Sequence, residues 1–166
     1  MRRRGFLFAL TAGAAGGYSK WVEPQWLDLT GVRCSVPGFA PVRPVKIAQL
    51  SDLHACPNVP NELIEEAVWL TTQERPDIIC VTGDFVSWRG GFDRNWYIRV
   101  LSRLAKVAPT YATLGNHDGG EWSHKHGAGW KTSLVVADLV REAGHTLLFN
   151  ENRVVTLGER KLNLVG

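Results

Sequence analysis

Thr110-Tyr111-Ala112-Thr113-Leu114 runs directly into Gly115-Asn116-His117-Asp118. The first five residues are β-branched, aromatic or apolar, and read as a buried strand. The next four set an amide, an imidazole and a carboxylate in a row behind a glycine. Alone, that tetrapeptide reads as a polar turn. At the C-terminal end of a strand it also suits a ligand site, because open α/β sheets bind their ligands there. Two other stretches decide between the readings. Lys46–Ser51 leads into Asp52-Leu53-His54, and Asp77–Thr82 leads into Gly83-Asp84. Each is an apolar run of strand length that ends in side chains able to bind a metal.

The spacing fixes the architecture. Asp52 precedes Asp84 by 32 residues (84 − 52), and Asp84 precedes Asn116 by the same 32 (116 − 84). One strand–helix–strand unit takes about 30 residues or more. Two successive crossovers therefore bring all three polar clusters to one edge of a parallel sheet. The intervening stretches have helical period. Leu63, Ala67 and Leu70 line one face of a helix opened by Pro60-Asn61 and running to about Glu74, where Arg75-Pro76 stops it. A second helix spans about Asn95 to Lys106, with Tyr97, Leu101 and Leu104 inward. A third spans about Lys131 to Glu142, with Gly144 as its C-terminal cap. Beyond it, residues 146–149, 153–157 and 161–165 read as short strands separated by hairpin turns at 150–152 and 158–160.

Asp52-x-His54, Gly83-Asp84 and Gly115-Asn116-His117-Asp118, in this order and at these separations, resemble the first three motifs of the calcineurin-like metallophosphoesterases. The resemblance covers residues 45–166 and implies an α/β fold, the four-layer β-sandwich flanked by helices, of which this chain supplies the first half. It also implies roles. Asp52 and His54 would hold one metal ion, Asp84 would bridge to a second, and Asn116 would hold that second ion. Asp52 and His54, two residues apart, would point the same way if the strand end is extended. His117 would be the general acid that protonates the leaving oxygen, and Asp118 would orient it by accepting its other ring N–H. The implied cofactors are two divalent ions, Mn, Fe, Zn or Co. Such pairs sit about 3.5–4 Å apart, stabilise phosphoryl charge and acidify a water. The family's later histidine motifs have no match after Asn116, so the C-terminal part of the domain is expected to be absent and the fragment itself inactive. In the purple acid phosphatases a tyrosine stands three positions after the bridging aspartate; Ser87 stands there here, which sets that subclass aside.

The remainder bounds the setting. Arg2-Arg3-Arg4 precedes an apolar run from Phe6 to Gly17, too short to span a bilayer and similar to the core of an export signal. Arg3-Arg4-Gly5-Phe6-Leu7 resembles a twin-arginine signal. Residues 1–20 are thus expected to be an export signal and 21–44, with four prolines, a linker. The expected location lies across the bacterial inner membrane: periplasm, envelope or membrane anchor. The expected partners are the export machinery, a membrane surface and a phosphate-ester substrate. Net charge is +3, from 19 basic and 16 acidic residues spread along the chain, so no nucleic-acid partner is expected. Three cysteines without paired spacing make neither a disulfide framework nor a zinc site.

The function expected is metal-dependent hydrolysis of a phosphomonoester or phosphodiester, an envelope lipid-linked nucleotide being one candidate. The alternatives are a non-catalytic metal-binding envelope module, and a nuclease or nucleotidase on the same scaffold. His124 and His126 read as solvated loop residues and His145 as a cap or surface residue. Asp77 and Asp93 fit turns. Trp88 and Trp122 serve equally as cleft walls or as structural anchors.

Overall fold

Short apolar runs separated by amphipathic helices bury both surfaces at once when the runs pair in parallel and the helices pack across them. That is the arrangement found in the structure, a computed structural model that describes residues 26–35, 37, 44–158 and 160–166. The leader at 1–20 lies outside the described residues, as does half of the linker; residues 26–35 carry no helix or strand. Among the described residues, no helix is long and apolar enough to cross a membrane.

Arg33–Gly166 forms one compact unit. In it β1 (Ile47–Leu50), β2 (Ile78–Thr82), β3 (Thr110–Thr113) and β4 (Thr146–Leu147) make a parallel sheet in that order. The connections are α1 (Asn61–Gln73), α2 (Arg94–Ala105), and then α3 (Glu121–His126) followed by α4 (Leu134–Glu142). A sheet that advances in one direction through right-handed crossovers gathers its helices on a single face. Accordingly Ile64 and Val68 of α1, Leu101 and Leu104 of α2, and Val136 and Leu139 of α4 close with Leu50, Ile79, Val81 and Ala112 into one core. Each such leucine, isoleucine or valine contributes about 1.5–3 kcal/mol when fully buried. Register pairs Leu50 with Val81 and Thr82 with Thr113, so β1, β2 and β3 end level. The α/β expectation therefore stands, with the three polar clusters side by side.

The opposite face of the sheet is mixed in character. Ile47 is half exposed, and Gln49 donates to the Thr82 hydroxyl at 3.0 Å. An antiparallel hairpin, β5 (Asn152–Leu157) with β6 (Arg160–Val165), covers part of this face. Leu148, Leu164 and Val165 line an apolar cavity there with Cys80, Tyr111 and Thr113. Cys80 is half-buried, and burial pushes its thiol pKa up.

The helix ends follow their residues. Asp93 caps α2 by accepting the Trp96 amide at 3.0 Å. Arg75, at φ +46°, closes α1 before Pro76. At the end of α4, Gly144 at φ +84° donates to the Arg141 carbonyl while the His145 amide reaches Val140, the paired bonds of a Schellman cap.

Four expectations need correction. Residues 150–152 are not a hairpin turn between consecutive strands: β4 pairs parallel with β3, and the Leu148 amide extends that ladder to Ala112 at 2.8 Å. Alternation reveals a strand but not its partner. The third predicted helix begins at Leu134 rather than near Lys131, because the Thr132 hydroxyl accepts the Leu134 amide at 3.0 Å and holds a turn there. The segment around His124 and His126 contains the short helix α3 rather than only loop. His145 is buried, donating from Nε2 to the Leu101 carbonyl at 3.1 Å, with Nδ1 lacking a partner.

Candidate metal centre

β1 stops at Leu50, and the backbone then enters the left-handed region at Asp52 (φ +57°) and His54 (φ +47°); Asp84, past β2, does the same at φ +52°. Asp and His tolerate that region better than most residues, yet each such position costs about 1–3 kcal/mol unless the surroundings impose it. Here they do. The Asp52 amide donates to Gly83 at 3.2 Å, His54 to Asp84 at 2.9 Å and Ala55 to Phe85 at 2.9 Å. Ala55 and Val86 form an isolated parallel bridge, so the two loops stay paired beyond the strands. Asp52 and His54 do converge, but through left-handed backbone rather than the extended strand end expected from their spacing. Asp52 Oδ1 and Asp84 Oδ2 each lie 3.7 Å from His54 Nε2. The three ligand atoms fall within 4.8 Å of one another.

The third loop locks onto the second. The His117 amide donates to Asp84 Oδ1 at 3.0 Å, leaving Oδ2 toward His54. A Cβ on Gly115 would stand 2.1 Å from Asp84 Oδ1, and one on Gly83, at φ +87°, would stand 2.5 Å from the Gly115 nitrogen. These two glycines allow the loops to touch backbone to backbone. Asn116 is exposed, one residue before the amide that Asp84 accepts.

Asp118 does not make the contact expected of it. Its carboxylate is fully buried and accepts two amides, Gly115 at 2.8 Å and Val86 at 3.2 Å, so it clasps the second and third loops together. Burial pushes its pKa up to about 6, opposed by those amide bonds and reinforced by the Asp84 charge. The ring of His117 is oriented elsewhere: its Nδ1 sits 3.2 Å from the Ser87 carbonyl. From α2, Tyr97 reaches under the site and donates to the Phe85 carbonyl at 2.8 Å. Burial, with a smaller contribution from the Asp118 charge, raises its phenol well above the usual range.

Sequence reasoning gave Tyr97 only a place on an apolar stripe, and Ser87 only the exclusion of a subclass. Neither residue type announces a supporting role without knowledge of what lies across from it. The 119–130 segment adds a wall. Trp122, 45% exposed, packs edge-on against His117 with centroids 4.9 Å apart, and His126 lies 5.3 Å from Trp122. The Ser123 hydroxyl donates to the His117 carbonyl at 2.9 Å. His124 and His126 are exposed and stand apart from the carboxylates, and Trp88 is half-buried in the second loop.

Two carboxylate oxygens and an imidazole nitrogen, aimed at one point by strained but pinned backbone, form a donor set that suits a divalent transition metal. The residues therefore fit such an ion. That site, at the C-terminal edge of a parallel sheet, defines the class. Residues 45–162 match the family model described as calcineurin-like phosphoesterase, and the chain belongs to that family.

Among particular relatives, the chain is 35% identical to phosphodiesterase YaeI of Escherichia coli, over 99% of this chain and 59% of that protein. It is 30% identical to the UDP-2,3-diacylglucosamine pyrophosphatase LpxG of Chlamydia muridarum, over 69% of this chain and 36% of that protein. It is 28% identical to the metallophosphoesterase YkuE of Bacillus subtilis, over 91% of this chain and 50% of that protein. The chain thus spans about three-fifths or less of the length of these relatives.

Proposed function

We propose that the whole protein hydrolyses a phosphoester, with Asp52, His54, Asp84 and Asn116 among the ligands of two divalent ions and His117 serving the leaving group. The observation that carries this reading is the convergence of Asp52 Oδ1, His54 Nε2 and Asp84 Oδ2 beside the His117 ring, whose centroid lies 4.9 Å from that of His54. When bound, two such ions would stabilise charge on phosphoryl oxygens and lower the pKa of a water.

The protein's own residues supply position and a proton. Asp84 stands between two loops, Oδ1 accepting the His117 amide and Oδ2 toward His54, and would be the carboxylate shared by the two ions. Asn116 contributes an exposed amide oxygen at the rim. The Ser87 carbonyl can only accept, so the His117 Nδ1 that faces it keeps its proton, and Nε2 is the atom that must take up a second proton from water before passing it to the leaving oxygen. Asp118 holds the turn that carries both side chains.

For the substrate, we favour a phosphodiester or the pyrophosphate of a lipid-linked nucleotide. The support is the naming of two relatives, a phosphodiesterase and a UDP-diacylglucosamine pyrophosphatase. Two variants of the whole protein test the reading. Asp84→Asn is expected to lower metal content and turnover together, by more than the roughly 10–100-fold that follows loss of a supporting residue. His117→Asn is expected to lower turnover of a phosphodiester while metal content holds. Full activity in His117→Asn would show that another group serves the leaving oxygen, whereas a wild-type protein that holds metal and turns over no phosphoester would favour the metal-binding module.

A further inference from the structure

Two histidines with different tasks meet edge-on in this site, interplanar angle 86°. Each must present one particular nitrogen. His54 needs an unprotonated Nε2 facing Asp52 and Asp84, whereas His117 needs Nε2 as its exchanging atom. In both rings the proton must therefore be held on Nδ1. Both Nδ1 atoms point at the same residue. His54 Nδ1 lies 3.1 Å from Ser87 Oγ, and His117 Nδ1 lies 3.2 Å from the Ser87 carbonyl.

We infer that Ser87 is a positioning residue that sets the tautomers of both histidines, His54 through its hydroxyl and His117 through its carbonyl. The hydrogen bonds form a closed set. The His117 Nδ1–H donates to a carbonyl that cannot donate back. The His54 Nδ1–H donates to Oγ, and the Ser87 hydroxyl hydrogen is directed to the His54 carbonyl, 3.5 Å away. With its own acceptor satisfied, the hydroxyl presents a lone pair to Nδ1 and fixes Nε2 as the unprotonated nitrogen. Imidazole ligands are commonly held in this way, with the second nitrogen donating to an acceptor behind it.

The residue is well placed to hold its geometry. Ser87 is buried, and the chain before it is pinned by Asp118 accepting the Val86 amide at 3.2 Å and by Tyr97 donating to Phe85 at 2.8 Å. One short side chain thereby couples the metal-binding histidine to the proton-donating one. The hydroxyl and the carbonyl act on different rings, so a side-chain substitution separates them.

This inference rests on the proposed hydrolytic reading for its consequence but not for its geometry, and its test begins without metal. Two-bond proton–nitrogen correlation spectra of the imidazoles, recorded on the metal-stripped whole protein at about pH 8, above the ordinary imidazole pKa of about 6.5, report which nitrogen carries the proton. Wild type is expected to show both His54 and His117 protonated on Nδ1. Ser87→Ala, which removes Oγ and keeps the carbonyl, should turn His54 into a mixture of tautomers and leave His117 unchanged. Ser87→Thr, which restores a hydroxyl, should return His54 to the wild-type pattern. Metal affinity should follow, falling about 10–100-fold in Ser87→Ala and recovering in Ser87→Thr. An unchanged His54 pattern in Ser87→Ala overturns the inference, as does a wild-type His54 protonated on Nε2. If the tautomers shift as expected while the wild-type protein neither binds metal nor turns over a phosphodiester, the hydrolytic reading fails and the positioning role survives.

Discussion

The three loops that carry the site and the 119–130 segment beside them are both polar and both lie at the His117 end of the sheet, yet they are built differently. In the loops, Asp52, His54 and Asp84 hold left-handed backbone that each neighbouring loop imposes through amide bonds of 2.9–3.2 Å. In the 119–130 segment, a six-residue helix stands between glycines and attaches through the Ser123 side chain and the Trp122 ring, with the Ala128 carbonyl beyond it accepting from the Arg89 amide and Nε. The first region can place atoms within a few tenths of an ångström, as a metal centre requires. The second can shape what approaches that centre.

The largest expected effect breaks the first region. Gly115→Ala would put a methyl 2.1 Å from Asp84 Oδ1 and 2.5 Å from the Asp84 nitrogen, where backbone has no flexible end to yield. Overpacking costs about 1–3 kcal/mol where neighbours can shift; here a loss of about 3 kcal/mol or more is expected, with metal content falling alongside. Denaturant unfolding with metal analysis checks it. A Gly115→Ala protein of wild-type stability and metal content would show that the loops are not in backbone contact.

A smaller effect is expected from the second region. Ser123→Ala removes the hydroxyl that serves the His117 carbonyl and leaves that carbonyl short of a donor, at a cost of about 1–3 kcal/mol. Because Asp52, His54 and Asp84 are untouched, metal content is expected to stay at the wild-type level while turnover of a phosphodiester falls. If metal content falls in step with turnover, the two regions are one structural unit and the contrast between them is wrong.

The contrast also explains what could be read from the chain. A repeat of 32 residues between polar strand ends is long-range order written in one dimension, and it located β1, β2, β3 and the three converging candidate ligands. Left-handed backbone at those ligands was not legible, because Asp and His also occupy ordinary turns. The role of Asp118 was misread for a related reason. Adjacency to His117 suggested a contact between the two, whereas the turn sends the neighbouring side chain down to the Gly115 and Val86 amides. The parallel placement of β4 and the helix α3 were missed because a two-residue strand and a six-residue helix carry too little periodicity to count. Ser87 was visible as a residue but not as a junction, since both rings it touches come from other strands' loops.

The smallest expected effect separates the site from the fold that carries it. His145, behind α2 and away from both regions, is buried with Nε2–H on the Leu101 carbonyl and no partner for Nδ1. Burial lowers its pKa below the ordinary 6.5, the bond to Leu101 opposing weakly. The sign follows from linkage. Well above a pH of about 6.5 the ring is neutral in both states and adds no pH dependence. As pH falls below that value, the unfolded chain takes up a proton that the folded chain resists, so stability drops until the folded ring also protonates. The drop is confined to the window between the unfolded value of about 6.5 and the lowered folded one. His145→Gln, which keeps an N–H donor and cannot titrate, is expected to flatten that part of the stability profile and to leave the pH dependence of turnover, measured where the protein is folded, as it was. Chemical denaturation at several pH values reads the first, and initial rates over the same range read the second. Should the variant instead change the rate profile and not the stability profile, His145 would be coupled to the centre rather than to the fold alone.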